Sequence, residues 1–267
     1  MFKLPFQLPR RLPLPKKWQL FCGLEQAWLQ SPAGEVSCFN TEAKASALQQ
    51  CFDALRLEPR PWPRLQPRLQ VLVSGALAQP FVCGPAPGLQ HWKEATELAQ
   101  AMASSATQLP EGCISSIEHW PEHVAVLATA LNERFFSELT ELAQGAGVSL
   151  TSVRPWWAMA MSALKSNRAS GTTADADLAQ SVVAFSDPDS LTILIGHGQV
   201  PTLALSNIPR PNPQQQSDLL HRLLVSESLE EGSLSRFEVL PGQGADASLP
   251  WIHAIAANQN LQESTST

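Results

Sequence analysis

The chain has 267 residues, 44% of them apolar and 16% charged, with 22 prolines, eight tryptophans and no tyrosine. That composition marks a globular protein with enough chain to bury a core in one domain or in two subdomains. The net charge of −6 hides an asymmetry: residues 1–70 hold ten Lys/Arg against five Asp/Glu, and the remainder eight against nineteen. A main body with that balance lacks the basic face that duplex nucleic acid requires, so nucleic acid is excluded as its partner.

Residues 1–17 form a basic, proline-rich arm, expected to be extended. Pro5, Pro9, Pro13 and Pro15 interrupt every apolar run, and no stretch approaches the roughly 18 apolar residues of a membrane-spanning helix. The chain is therefore expected to be cytoplasmic. A polybasic arm suits an anionic membrane surface or a partner protein, against the plainer reading of a solubilising terminus. Trp18 to Phe39 predicts strands around a β-hairpin, with a turn at Ser31-Pro32-Ala33-Gly34. Thr41 or Asn40 caps a helix through about Leu57, with Ala45, Leu48, Cys51, Phe52 and Leu55 on one face. Glu58 to Pro67 is a proline-dense connector carrying Trp62. Leu69 to Val73 and Phe81 to Cys83 read as strands, Leu89 to about Thr107 as a helix, and Cys113 to Ile117 as a strand.

From Glu122 the apolar residues Val124, Leu127, Ala128, Leu131, Phe135, Leu139, Leu142 and Ala143 recur at steps of three and four, which predicts one long amphipathic helix. Gly145 and Gly147 stop it. Val148 to Val153 alternates as a strand, and Pro155 cannot continue the ladder. Trp156 to about Ser166 is a further helix, and Asn167 to Asp177 a surface loop. Val182 to Phe185, Leu191 to Ile195 and Val200 to Leu205 form an antiparallel meander, with turns at Asp187-Pro188-Asp189-Ser190 and Gly196-His197-Gly198. A helix near Gln214 to Leu229 and a strand from Arg236 to Leu240 close the pattern, and the tail from Asn258 is polar.

Candidate chemistry is sparse. No P-loop, no Gly-x-Ser-x-Gly and no His-Glu-x-x-His occurs. The five cysteines (Cys22, Cys38, Cys51, Cys83 and Cys113) are widely spaced, with no CxxC, and read as buried small hydrophobes rather than zinc ligands or a disulfide framework. His119 and His123 lie four apart, but Pro121 between them spoils a metal-binding helix face, so no metal is expected. His197 sits between two glycines that turn geometry alone explains. Arg154 with Trp156 and Trp157 is the best candidate for a partner surface, since Trp and Arg concentrate interface energy; the alternative is that one indole is core and the other packs on the loop 167–177. Trp62 in Pro61-Trp62-Pro63 is a second candidate anchor.

The order of segments resembles an actin-like (ribonuclease H-like) α/β fold of two related subdomains with mixed sheets. More narrowly it resembles the actin-like assembly proteins of type IV pili and the cytoplasmic domain of the type II secretion L component. The passage from Leu139 to Pro155, a helix ending Leu142-Ala143-Gln144-Gly145 that runs into a strand and a proline, carries that likeness. The resemblance implies a first subdomain over 18–166, a loop over 167–180, a second subdomain over 181–253 and a frayed tail over 254–267. Nucleotide-binding members carry Asp-x-Gly at each hairpin tip. Here the first tip reads Cys22-Gly23-Leu24-Glu25. The second reads Asp187-Pro188-Asp189, where proline removes an N–H donor. Gly242-Gln243-Gly244 is the only counterpart of the late glycine pair.

The resemblance therefore implies a pseudo-ATPase with no cofactor, in which Glu25 and Asp187 would be the magnesium-nucleotide residues only if binding survives. It implies a non-catalytic scaffold at the inner face of the inner membrane, binding the cytoplasmic segment of an inner-membrane assembly protein. The alternative is an ATPase or sugar-kinase-like enzyme of the same fold. On the scaffold reading, Asp187→Ala is expected to leave stability unchanged, while alanine at Trp156 or Trp157 damages stability or binding.

Overall fold

The computed structural model describes residues 17–42, 45–57, 66–89, 91–109, 112–117, 123–169, 180–197, 200–239 and 252–255. Residues 1–16 of the arm, Trp62, His119, the 170–179 segment, Gly242-Gln243-Gly244 and residues 256–267 of the tail lie outside the described residues. Of the segments expected as arm, loop and tail, Lys17, Gln180 and residues 254–255 belong to strands and residues 167–169 to a helix.

The first sheet grows from the N-terminal meander. Strands β1 (Lys17–Cys22), β2 (Gln26–Gln30) and β3 (Val36–Asn40) pair antiparallel in succession. Helix α1 (Ala47–Leu57) returns the chain so that β4 (Arg68–Val73) lies parallel to β1, and β8 (Ser149–Pro155) lies parallel to β4. The start of α1 is fixed by Ser46, whose hydroxyl accepts from the Gln49 N–H at 3.1 Å, and by Thr41, one of the two caps expected from sequence, whose hydroxyl accepts from the Ala47 N–H at 3.3 Å. Leu20, Leu69 and Val71 point to one face of the sheet, where Cys51, Phe52 and Leu55 of α1 meet them. Phe21 and Leu72 point to the other, as the two-residue period of a strand requires.

Between β4 and β8 the chain inserts a small unit. Strands β5 (Ala78–Cys83), β6 (Cys113–Ile117) and β7 (Val126–Asn132) form a sheet in the order β5-β7-β6, with α2 (Trp92–Ala106) on one face. Ala95, Ala99 and Ala103, four apart, let that helix sit close to the sheet. Here the long helix expected from Glu122 is corrected. Residues 126–132 are a strand, and the helix α3 runs only over Glu133–Ala146. The apolar spacing through Leu131 fits both periods. Val126, Ala128 and Ala130 are buried in alternation, and the pairing of both edges of β7 decides for the strand. The Asn132 side chain accepts from the Phe135 N–H at 2.9 Å and starts the helix, while Gly147 ends it in the left-handed conformation. Helix α3 then packs beside α1 on the first sheet.

Helix α4 (Trp156–Ala169) leads to the second sheet. Its strands β9 (Gln180–Ser186), β10 (Leu191–His197) and β11 (Val200–Asn207) are again antiparallel in succession. Gly196 and His197 thus continue β10 beyond the turn expected at Gly196-His197-Gly198. Helix α5 (Pro213–Ser226), with Asn212 as cap and proline in its first turn, returns the chain to β12 (Leu234–Val239), parallel to β9. The strand order β11-β10-β9-β12 repeats the β3-β2-β1-β4 of the first half, with the same strand senses. The fifth strands differ. β8 is parallel to its neighbour, whereas β13 (Ile252–Ile255), unforeseen in the sequence, is antiparallel to β12. One face of the second sheet packs on Leu220 and Leu224 of α5. The other joins Phe21, Trp28, Trp156 and Trp157 in a core shared by the two halves, where Phe185 stacks on Phe237 at 5.6 Å.

Of the five cysteines, Cys38 alone is exposed on edge strand β3, and none is in a disulfide. Burial pushes the Cys51 thiol up to about 12 and raises Cys22 and Cys83 as well. A thiol reagent at pH 8 is expected to modify one cysteine rapidly in the native protein and all five in denaturant, because only thiolates react. Two or more fast equivalents in the native state would contradict this packing.

Candidate functional site

The two β-hairpins of the related halves meet tip to tip. In the second tip, between β9 and β10, Asp187 folds back over its own turn. Its Oδ1 accepts from the N–H groups of Asp189 (2.9 Å) and Ser190 (2.8 Å), the side-chain turn that Asp before Pro-x-Ser favours. Its Oδ2 accepts from the Ser190 hydroxyl at 2.9 Å, from the backbone N–H of Gly75 at 2.8 Å and from the Trp156 indole N–H at 2.7 Å. The last two donors belong to the first half, one just beyond β4 and one at the start of α4. Asp187 is fully buried. Burial pushes its carboxyl above the usual range, against the pull of its donors at Gly75, Trp156, Asp189 and Ser190.

Asp189 makes the second link. Its Oδ2 accepts from the backbone N–H of Leu24, at the tip of the β1–β2 hairpin, at 2.7 Å. Burial raises this carboxyl too, and the charges of Asp187 and Glu25 add to the rise while the Leu24 N–H opposes it. Two glycines make these approaches feasible. A Cβ on Gly23 would run into Asp189 Oδ2, and one on Gly75 would run into Thr192 Oγ1 and lie 2.6 Å from Ser190 Oγ.

A groove of about 380 Å³ opens on the far side of α4. Its walls come from the uncovered face of the inserted sheet (Ser116, Thr129), from Arg154 and Trp157, and from the second sheet (Leu194, Pro201). Arg154 is the only charged residue among those described as lining it. The Trp157 indole donates to the carbonyl of Ala78 at 2.9 Å, so its ring is a fixed wall.

These positions sort the residues singled out from sequence. Arg154 and Trp157 are brought together at the groove. Trp156 is not a surface residue: it is fully buried, set edge-on to Phe185 at 5.7 Å, and its N–H is spent on Asp187. It belongs to the junction of the halves, a correction to its placement on a partner surface. Glu25 is exposed beside Asp189, while Asp187 is enclosed by protein donors. Five donors on one carboxylate also overturn the expectation that Asp187→Ala leaves stability unchanged, because each orphaned buried donor costs about 1–3 kcal/mol. Asp189, Gly75 and Ser190 were missed. The Asp-Pro-Asp-Ser turn was visible, but what it touches 112 and 165 residues earlier in the chain was not. Among the described residues, no group of three His, Cys, Asp or Glu side chains is placed to hold a metal.

Two sheets with the same strand order and senses, joined through a shared core with their hairpin tips in contact, define an actin-like fold. The chain is similar to a solved type IV pilus biogenesis complex, PilM–PilN, with a TM-score of 0.50 and 13% identity over 80% of this chain and 66% of that one. A Bacteroides thetaiotaomicron VPI-5482 protein with an actin-like ATPase fold and unknown function gives 0.48 and 9%, over 81% and 78%. The cytoplasmic domain of EpsL, an inner membrane component of the type II secretion system of Vibrio cholerae, gives 0.45 and 12%, over 85% and 83%. No family model and no curated protein matches the chain.

Proposed function

We propose that this protein is a non-catalytic actin-like scaffold that docks an extended segment of an inner-membrane assembly protein, in a pilus or secretion-like machine. The observation that carries the reading is the groove: apolar walls from three elements, a preformed shape and, among the described residues lining it, one cation, Arg154. Ligand sites of this kind are concave, mostly apolar and oriented by few polar groups. The segment it suits is apolar, with one carboxylate set against Arg154. The PilM–PilN likeness supports the pilus setting, since that fold is solved as part of a pilus biogenesis complex. Among the described residues no helix is long and apolar enough to cross a membrane.

Lack of catalysis rests on the hairpin tips. The Asp187 carboxylate, which would orient magnesium in a nucleotide-binding relative, is turned onto five protein donors, and Pro188 supplies none. An ATPase or sugar-kinase-like activity would need those groups free.

The test is selection of a displayed library of N-terminal cytoplasmic segments of inner-membrane proteins against the full chain, with Ser116→Trp as counter-target. Ser116 is exposed on the groove face of β6, so tryptophan there fills the groove without touching a core. Selected segments are expected to bind the wild type and to lose about tenfold or more in affinity for Ser116→Trp, or roughly 1.4 kcal/mol, with an unchanged melting temperature. Segments that bind both forms equally would sink the groove as the docking site.

A further inference from the structure

We propose that Asp187 and Asp189 form a built-in anionic clasp that holds the two halves closed without any added ligand. The inference goes beyond the scaffold reading and does not depend on the groove. It rests on where the carboxylates go. Both belong to the tip of one hairpin, yet each ends on a backbone N–H of the opposite half. Asp189 reaches Leu24 at 2.7 Å and Asp187 reaches Gly75 at 2.8 Å. Backbone N–H groups presented at a turn favour negative charge through their dipoles, and the buried one at Gly75 must also be paired. Here the protein supplies the anions itself.

The surroundings are built for that contact. Gly23 and Gly75 are the points where the backbone of the first half approaches the two carboxylates, and in each a methyl group would collide at the junction. Trp156 adds a third strut, an indole N–H given to the same Asp187 oxygen that holds Gly75. Behind the second tip, Arg210 donates to the Asp187 carbonyl at 3.3 Å and pairs with Glu238 at 2.8 Å, which ties the turn to β12. Every contact to the carboxylate oxygens is a donor, the pattern of ionised carboxylates. Charge-assisted bonds of this kind are the strong ones, and they are made here between segments far apart in the chain.

The clasp is tested on the full chain by hydrogen exchange, comparing wild type with Asp189→Ala and Asp189→Asn. Asp189 is the outer member of the pair and only partly buried, so its loss leaves the fold standing. Exchange at the Leu24 amide is expected to rise about tenfold or more in Asp189→Ala, since protection follows the local opening free energy, while α5 and β10 keep theirs. Sodium formate at high concentration, the detached carboxylate, is expected to restore that protection, and sodium chloride of equal ionic strength is not. Magnesium-ATP is expected to leave the wild-type melting temperature unchanged. Wild-type protection at Leu24 in both variants would overturn the clasp. So would a rise in exchange spread evenly over both halves, or a clear rise in wild-type melting temperature with magnesium-ATP, because the tip donors would then be open to an outside anion.

Discussion

Trp156→Ala is expected to lower the stability of the protein by about 4 kcal/mol, within the range of roughly 3–5 kcal/mol measured for removal of large buried aromatics. For a chain of this size that is a fall of about 10 °C in melting temperature. The indole is fully buried in the core shared by the two halves, edge-on to Phe185, with Phe21 and Trp28 stacked at 4.6 Å in the same cluster. Its loss opens a cavity there, and it also takes one donor from Asp187. Trp156→Phe separates the two effects. The ring is kept in smaller form and the hydrogen bond goes, so a cost of about 1–3 kcal/mol is expected from the bond to a charged group. The same bond makes Trp156→Phe and Asp187→Asn non-additive, because the second change weakens what the first removes. Scanning calorimetry decides it: a Trp156→Ala melting temperature within a degree of wild type would mean that this side chain does not join the halves.

The fold was largely legible in the sequence wherever one face of an element is buried against one neighbour. Helix α1 announces its core in Leu48, Cys51, Phe52 and Leu55, all buried as the spacing requires. The strands β9 and β10 stand out by apolar runs bounded by the Asp-Pro-Asp-Ser turn, and α5 by Asn-Pro before its first turn. The sequence is ambiguous where two periods fit the same residues. Val126 to Leu131 satisfies both a helix stripe and an alternating strand, and only pairing with β5 and β6 resolves it. A capping asparagine at Asn132, in the middle of the supposed helix, was the overlooked local sign.

The site was legible only in part, for a different reason. Asp187 and Glu25 were named because a family pattern puts acids at hairpin tips. What Asp187 does is set by Gly75 and Trp156, which are distant in the chain, and no periodicity encodes such a meeting. Asp189 and Gly75 look like ordinary turn residues until the two tips are brought together. Trp156 and Trp157, adjacent in the sequence, read there as one candidate surface with Arg154. On a helix, neighbouring residues point about 100° apart, and here one indole turns to the clasp and the other to the groove.

Gly75→Ala is the substitution that asks most sharply whether the halves are in contact through their backbones. A Cβ there would collide with Thr192 Oγ1, lie 2.6 Å from Ser190 Oγ and 3.5 Å from Asp187 Oδ2. Ser190 and Thr192 are themselves fully buried and short, so neither swings away cheaply. Overpacking of this kind costs about 1–3 kcal/mol, and here it also pulls the Gly75 N–H from Asp187, so a loss at the upper end is expected. Gly84→Ala is the control: an added Cβ meets nothing within 4 Å, and the change is expected to stay within about 0.5 kcal/mol of neutral. Thr192→Ala removes the hydroxyl that Gly75→Ala strikes. Chemical denaturation of the two single variants and the double is expected to show the double losing less than the sum, by about 0.5 kcal/mol or more. Additive losses would place Gly75 and Thr192 in separate environments, and the close approach of the two halves at this point would be wrong. A positive coupling, together with the loss of Leu24 protection in Asp189→Ala, would make closure a property of the chain's own carboxylates and glycines.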